Sequence, residues 1–142
     1  MKAEASMIDN DKMTMLFKEA QKIALKAYAP YSKFRVGAAL LCEDETVVTG
    51  VNVENRSFGL TTCAERNSVC AAVALGHLRF KALAVSTPDS AEPTGPCGAC
   101  RQVISEFMPP DAPVWFAGSG PKQVKTTVGE LYPLDSLHEL RG

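Results

Sequence analysis

The chain has 142 residues, with fifteen Lys or Arg against sixteen Asp or Glu and a formal net charge of -1. That length predicts one domain with a core large enough to fold without disulfides, and the near-neutral charge argues against an electrostatic grip on a polynucleotide. No apolar run approaches the roughly 18 residues of a membrane helix, and the mixed-charge start, Met1 to Met13, lacks the apolar centre of a secretory signal.

Residues 1–13 read as a polar tail and residues 14–142 as a single domain. Leu16, Ala20, Ile23, Ala24 and Ala27 recur at helical spacing, which predicts an amphipathic helix over Met15 to Ala29, ended by Pro30. Two apolar runs, Val36 to Cys42 and Val47 to Val53, flank the polar turn Glu43-Asp44-Glu45-Thr46 and predict a hairpin. After a loop at Arg56 to Thr61, Cys63 to Leu75 predicts a second helix, closed by Gly76. Its Ala-rich interior is expected to be buried on more than one side. A short strand follows at Ala82 to Ser86, then a polar loop from Thr87 to Gly95 and a third helix over Cys97 to Phe107, stopped by Pro109-Pro110. Further strands are expected at Val114 to Ala117 and Val124 to Thr127, and a short helix near Ser136 to Leu140. Helices alternating with short strands imply an α/β layer fold, and the hairpin makes the sheet mixed.

Five cysteines without an export signal are expected to be reduced thiols of a cytoplasmic protein. Pro96-Cys97-Gly98-Ala99-Cys100 offers two thiolates three positions apart, which fits either one metal ion or a redox pair. Cys63 at the start of the preceding helix favours metal, and Glu65 lies two positions on, where a proton-transfer group can serve a metal-bound water. Three protein ligands leave a tetrahedral zinc one open position, as in a catalytic site. Glu65 has a competing reading, because Thr62 and Glu65 fit a capping box. Cys42 and Cys70 read as small buried hydrophobes, and His77 and His138 have no metal spacing.

Cys63-Ala64-Glu65-Arg66 and Pro96-Cys97-Gly98-Ala99-Cys100-Arg101-Gln102 resemble the two halves of the zinc signature of the cytidine deaminases. Tyr31 to Ala39 and Asn52-Val53-Glu54-Asn55 extend the resemblance. A cysteine at the first ligand position points to the small homotetrameric branch. The resemblance implies a three-layer α-β-α fold around a mixed sheet of about five strands. It makes Cys63, Cys97 and Cys100 the ligands of one Zn2+ per chain and Glu65 the proton shuttle. It assigns Phe34 to the pyrimidine, Asn52 and Glu54 to the ribose, the Ala64 backbone to the base edge, and Arg66 to the sulfur of a ligand. Without it, Phe34 reads as core packing, Asn52 and Glu54 as a solvated strand face, and Arg66 as a surface residue.

The implied function is hydrolytic deamination of cytidine and deoxycytidine to uridine and deoxyuridine plus ammonia, in pyrimidine salvage, by zinc-activated hydroxide attack on C4. The implied partners are a cytosine nucleoside and three further copies of the chain, with shared active sites, and neither polynucleotide nor membrane. Two alternatives stand beside it: deamination of a modified cytosine nucleoside, and a noncatalytic protein in which zinc only staples the fold. The sequence also departs from the family pattern. Arg35 replaces a frequent Pro, Phe58 a Tyr, and Ser136 stands where a Phe reaches the base-binding site. These departures predict an open rim that tolerates bulkier bases.

Overall fold

The computed structural model describes residues 8–141; the start of the polar tail lies outside them. Helix α1 spans Asn10–Ala24, with Asp9 as N-cap and its carboxylate accepting from the Lys12 N–H at 2.8 Å. The helix therefore starts before Met15 and stops before Ala29. Met13 is part of the buried core, so the apolar face begins inside the stretch read as tail. At the other end, tertiary pairing overrides the alanine periodicity. The Tyr28 N–H donates to the Asn52 carbonyl at 3.1 Å and the Glu54 N–H to the Tyr28 carbonyl at 2.9 Å. Pro30 also disfavours helix at the residue before it.

The strands are β1 Gly37–Cys42, β2 Val47–Val51, β3 Phe80–Thr87, β4 Pro113–Gly118 and β5 Gln123–Thr127. They form one five-stranded sheet in the order β2-β1-β3-β4-β5. Only β3 and β4 pair in parallel; the other neighbours are antiparallel, so the sheet is mixed as expected. Helices α2, Ala64–Ala74, and α3, Gly98–Phe107, are the connections from β2 to β3 and from β3 to β4.

All of β1 is buried because both sheet faces are covered. Its residues alternate between two cores, following the period of a strand. Ala38, Leu40 and Cys42 join Leu83, Val85, Val114 and Phe116 in a cluster that includes Ala64, Val69, Ala72 and Ile104 of α2 and α3. Ala39 and Leu41 join Ala82, Ala84 and Trp115 against Met13, Leu16 and Ala20 of α1. The result is three layers, with α1 on one face and α2 and α3 on the other.

Helix α2 corrects two expectations. Ala64, Glu65, Ser68, Val69 and Ala72 form its buried side, while Val73 and Leu75 are exposed. Burial within the chain is thus one-sided. Cys70 lies on the exposed side and is not a core cysteine, whereas Cys42 is buried as expected. Gly76 closes the helix at φ 98°, a conformation glycine adopts without strain. A one-turn helix, α4 at Val128–Leu131, was not legible as an apolar pattern, but Thr127 accepts from the Glu130 N–H at 3.2 Å and fits a capping box. The chain closes on a 3-10 helix at His138–Arg141.

Candidate active site

The helices α2 and α3 bring their N-termini together on one face of the sheet. Cys63 is the N-cap of α2 and Cys97 the N-cap of α3, and neither side chain accepts from a backbone N–H of its own helix start. Thr62 is therefore not the cap, and the capping-box reading of Glu65 falls. A close strand–helix contact fixes α2: a Cβ on Gly50 of β2 would lie 2.4 Å from the Ser68 nitrogen and 2.7 Å from the Ala64 carbonyl oxygen.

This placement brings the Sγ atoms of Cys63, Cys97 and Cys100 within 4.8 Å of one another. Cys63 and Cys97 lie 3.8 Å apart, Sγ to Sγ. That is far beyond a disulfide bond, about 2.05 Å. It matches the separation of about 3.8 Å that two thiolates take when each sits about 2.3 Å from one tetrahedral zinc. Arg66 Nη2 donates to Cys63 Sγ at 3.3 Å, so a cation faces the sulfur cluster. The hydrogen bond from the Cys100 thiol, with help from Arg66 and Cys97, draws Cys63 down to about 5. Cys100 moves the opposite way, raised by its contact with Cys63, by burial and by the nearby Glu65 carboxylate.

Glu65 is 4% exposed. Burial pushes its carboxyl up to about 7, and the Cys63 charge adds to the rise. It borders a cavity of about 420 Å³, which Cys63 and Cys97 also line. Phe34, Asn52 and Glu54 line the same cavity. The structure thus gathers five of the sequence-selected side chains around one space together with Glu65. Cys100 is buried beside them, and Ala64 is fully buried at the first position of α2. A larger cavity, about 550 Å³, lies elsewhere between Met108, Tyr132 and Ser136 and has neither thiols nor a buried carboxylate.

The wall is partly engaged with its own backbone. Asn52 Nδ2 donates to the Phe34 carbonyl at 2.8 Å, and its Oδ1 accepts from the Val36 N–H at 2.9 Å. Glu54 Oε1 accepts from the N–H groups of Tyr31 and Ser32 at 3.0 and 3.2 Å, and Oε2 accepts from the Ser32 hydroxyl. The Ser32 hydroxyl lowers the Glu54 carboxyl below its ordinary range. Ser32 is thus a wall residue without an assigned role in the sequence, although it lies in the Tyr31 to Ala39 segment. Thr87, Thr94 and Gly95 also line the cavity; for Thr94 and Gly95 the position just before Cys97 was the available signal, whereas Thr87 ends β3.

The rim residues are placed differently from expectation. Phe58 is 73% exposed and packs its ring 5.9 Å from Tyr31, outside the cavity lining. Ser136 borders the separate, larger cavity. An open rim at the site therefore does not arise from these residues within one chain. His77 faces Asp44 at 3.8 Å, away from the thiols, and the His138 side chain lies outside the described residues.

The sequence model for the cytidine and deoxycytidylate deaminase zinc-binding region matches residues 10–115. The chain belongs to this family. It is 48% identical over 118 residues to a cytidine deaminase of Sporosarcina psychrophila, covering 83% of this chain and 86% of that protein. It is 46% identical over 119 residues to a cytidine deaminase of Halalkalibacterium halodurans, covering 84% and 89%. The crystal structure of cytidine deaminase from Burkholderia pseudomallei superposes with a TM-score of 0.80 at 43% identity, over 84% of this chain and 95% of that one.

The donor set fits the zinc of this deaminase family. The three thiols converge, two of them cap helices whose positive ends favour thiolate, and Arg66 offsets the excess negative charge. The buried Arg66 Nε has no hydrogen-bond partner within the described residues.

Proposed function

We propose that the chain hydrolyses cytidine and deoxycytidine to uridine and deoxyuridine with release of ammonia, in pyrimidine salvage in the cytoplasm. The observation that carries this reading is the buried Glu65 carboxyl beside three convergent thiols, on the wall of a cavity that also presents Phe34, Asn52 and Glu54. Cys63, Cys97 and Cys100 would hold one zinc, which would supply Lewis acidity to activate the attacking water.

The chain's own residues do the rest. Glu65, held near neutral pKa by burial, can both accept and return a proton at physiological pH. It takes the proton of the attacking water and delivers it to N3 of the base. It then takes the second proton of that water, now on the C4 hydroxyl, and passes it to the amino group, so that the C4–N bond breaks, the C4 carbonyl forms and ammonia leaves. Phe34 packs on the pyrimidine, and the unshared lone pairs of Asn52 and Glu54 face the ribose. The Ala64 backbone meets the base edge. Arg66 holds Cys63 in its ionised form.

The fall in ultraviolet absorbance of cytidine, together with ammonia release, tests the reading. Wild type is expected to turn over both nucleosides and Glu65→Ala neither at a comparable rate; a zinc-loaded wild type inert toward both overturns it. We further propose a homotetramer with shared active sites. The exposed apolar Val73, Leu75 and Leu78 around the end of α2 support that assembly.

A further inference from the structure

Residues 32–36 form a wall between two cavities. Ser32, Phe34 and Val36 face the site, whereas Lys33 and Arg35 border an outer cavity of about 480 Å³ that Asp89 also lines. From Phe34 to Val36 this is the alternation of extended chain, and Lys33, at φ 60°, ends the preceding turn. Yet the segment belongs to no strand, because β1 starts at Gly37 and its partner β3 ends at Thr87. Gly37 pairs with Ser86, and beyond that register the strands part to make room for the cavity.

On the β2 side one main-chain bond persists, from the Asn52 N–H to the Val36 carbonyl at 3.3 Å, and side chains hold the rest of the segment on both edges. Asn52 bridges the Phe34 carbonyl and the Val36 N–H from the β2 side. From the β3 side, Asp89 Oδ2 accepts from the Arg35 backbone N–H at 2.9 Å and from Nε at 3.0 Å, and Oδ1 accepts from Nη2 at 2.7 Å. One carboxylate thus holds the main chain and a guanidinium fork together. Those hydrogen bonds draw the Asp89 carboxyl down to about 2, so it is ionised at neutral pH.

Asp89 also opens the loop that carries Thr94 and Gly95 of the site wall. That loop is anchored from behind. The Ser119 and Gly120 N–H groups donate to the carbonyls of Ser90 and Ala91 at 2.8 and 3.1 Å. A Cβ on Gly95 would meet the Phe116 ring at 2.9 Å. The Phe34 segment is held at Lys33, whose N–H donates to the Ala29 carbonyl at 3.0 Å, and among the described residues its tie to the loop is the Arg35–Asp89 clamp.

We propose that Arg35 and Asp89 are positioning residues of the nucleoside site, clamping the Phe34 wall to the anchored loop that bears Thr94 and Gly95. The inference rests on the cytosine-nucleoside reading of this cavity. It is a property of this chain rather than of the family pattern, because a Pro in place of Arg35 has neither an N–H nor a guanidinium to offer.

The variants separate the two halves of the clamp. Arg35→Ala keeps the backbone N–H, and its loss of an exposed ion pair is expected to raise KM for cytidine by about 2- to 5-fold. Asp89→Ala also strips the N–H of its acceptor, and is expected to raise KM by on the order of tenfold. In both, kcat should stay within about twofold, the signature of lost uniform binding. Asp89→Asn restores an oxygen acceptor and should return KM to near the Arg35→Ala value. Full-length, zinc-loaded protein is used throughout, with zinc content and Tm measured beside the kinetics. An unchanged KM in Asp89→Ala overturns the proposal, as does a kcat that falls in step with Tm or zinc content. Hydrogen exchange of the Arg35 amide reads the clamp without any substrate: it should accelerate in Asp89→Ala and not in Asp89→Asn. A wild type that turns over no cytosine nucleoside defeats the functional reading, and the exchange experiment then decides the clamp alone; unchanged exchange overturns it.

Discussion

Gly50 is the point at which strand packing and site geometry are most tightly joined. In Gly50→Ala the new methyl would lie 2.4 Å from the Ser68 nitrogen, 2.7 Å from the Ala64 oxygen and 2.9 Å from the Ser68 Cα. All three are backbone atoms of α2, so no side chain can rotate away. Restoring ordinary contact at 3.4 Å requires β2 and α2 to separate by about 1 Å. Overpacking of this kind costs about 1–3 kcal/mol, which for a chain of this size lowers Tm by on the order of 3–10 °C. The activity should suffer more than the stability. Cys63 and Glu65 ride on the start of α2, whereas Asn52 and Glu54 continue the chain from β2. Whichever element yields, the Cys63 thiol and the Glu65 carboxylate shift relative to the wall formed by Asn52 and Glu54, and a misplacement of about 1 Å can cost about 10²-fold in rate. The assay is thermal unfolding beside kcat/KM for cytidine, with zinc content measured on the same samples. Gly59→Ala is the control, since its Cβ would have nothing within 4 Å. If Gly50→Ala matches wild type in both Tm and kcat/KM, the close seating of α2 on β2 is wrong.

Cys97→Ala is expected to lose zinc and several degrees of Tm, because zinc binding and folding are coupled; full zinc content by metal analysis would remove Cys97 from the ligand set. Glu65→Ala should keep zinc and fold while kcat falls by at least about 10²–10⁴, the range of general acid–base help. A variant retaining a tenth of the activity would show that Glu65 does not carry the protons. Sedimentation is expected to give a tetramer, and a stable, active monomer at micromolar concentration would refute it. Ser136→Phe tests whether sites are shared. Ser136 does not line its own chain's site, so the expected change in the kcat/KM ratio of cytidine to N4-substituted cytidine must come from a neighbour, and an unchanged ratio argues against sharing.

The sulfur cluster was legible because its geometry is local. Cys97 and Cys100 share one helix start, and Cys63 begins another, so short spacings already implied convergence once the helices were placed. The short apolar runs likewise carried the strands, because a strand covered on both faces is apolar at nearly every position. The first helix was misplaced for the opposite reason. Ala24 and Ala27 continue a helical pattern, but Tyr28 is claimed by Asn52 and Glu54, residues whose proximity the local pattern does not encode. Cys70 failed similarly: its alanine neighbours suggested a core, while the sheet covers only one side of α2.

The cavity wall shows most clearly what spacing cannot reveal. A sequence motif selects Phe34, Asn52 and Glu54 as groups that meet a ligand. In the folded chain the latter two already hold the backbone on which Phe34 and Ser32 sit. Their types follow from that double duty. A carboxamide can donate to a carbonyl and accept from an N–H at once, and a carboxylate can accept several N–H and O–H groups while keeping a lone pair for substrate. Replacing Asn52 with Asp would leave the Phe34 carbonyl without its donor even though the oxygen that accepts from the Val36 N–H is retained. The same reasoning applies to Asp89, which faces Arg35 across 54 positions of sequence. No periodicity couples those positions. They meet because β1 and β3 pair antiparallel and then diverge, and the polar side chains at the fork must satisfy the main-chain groups that the sheet has released.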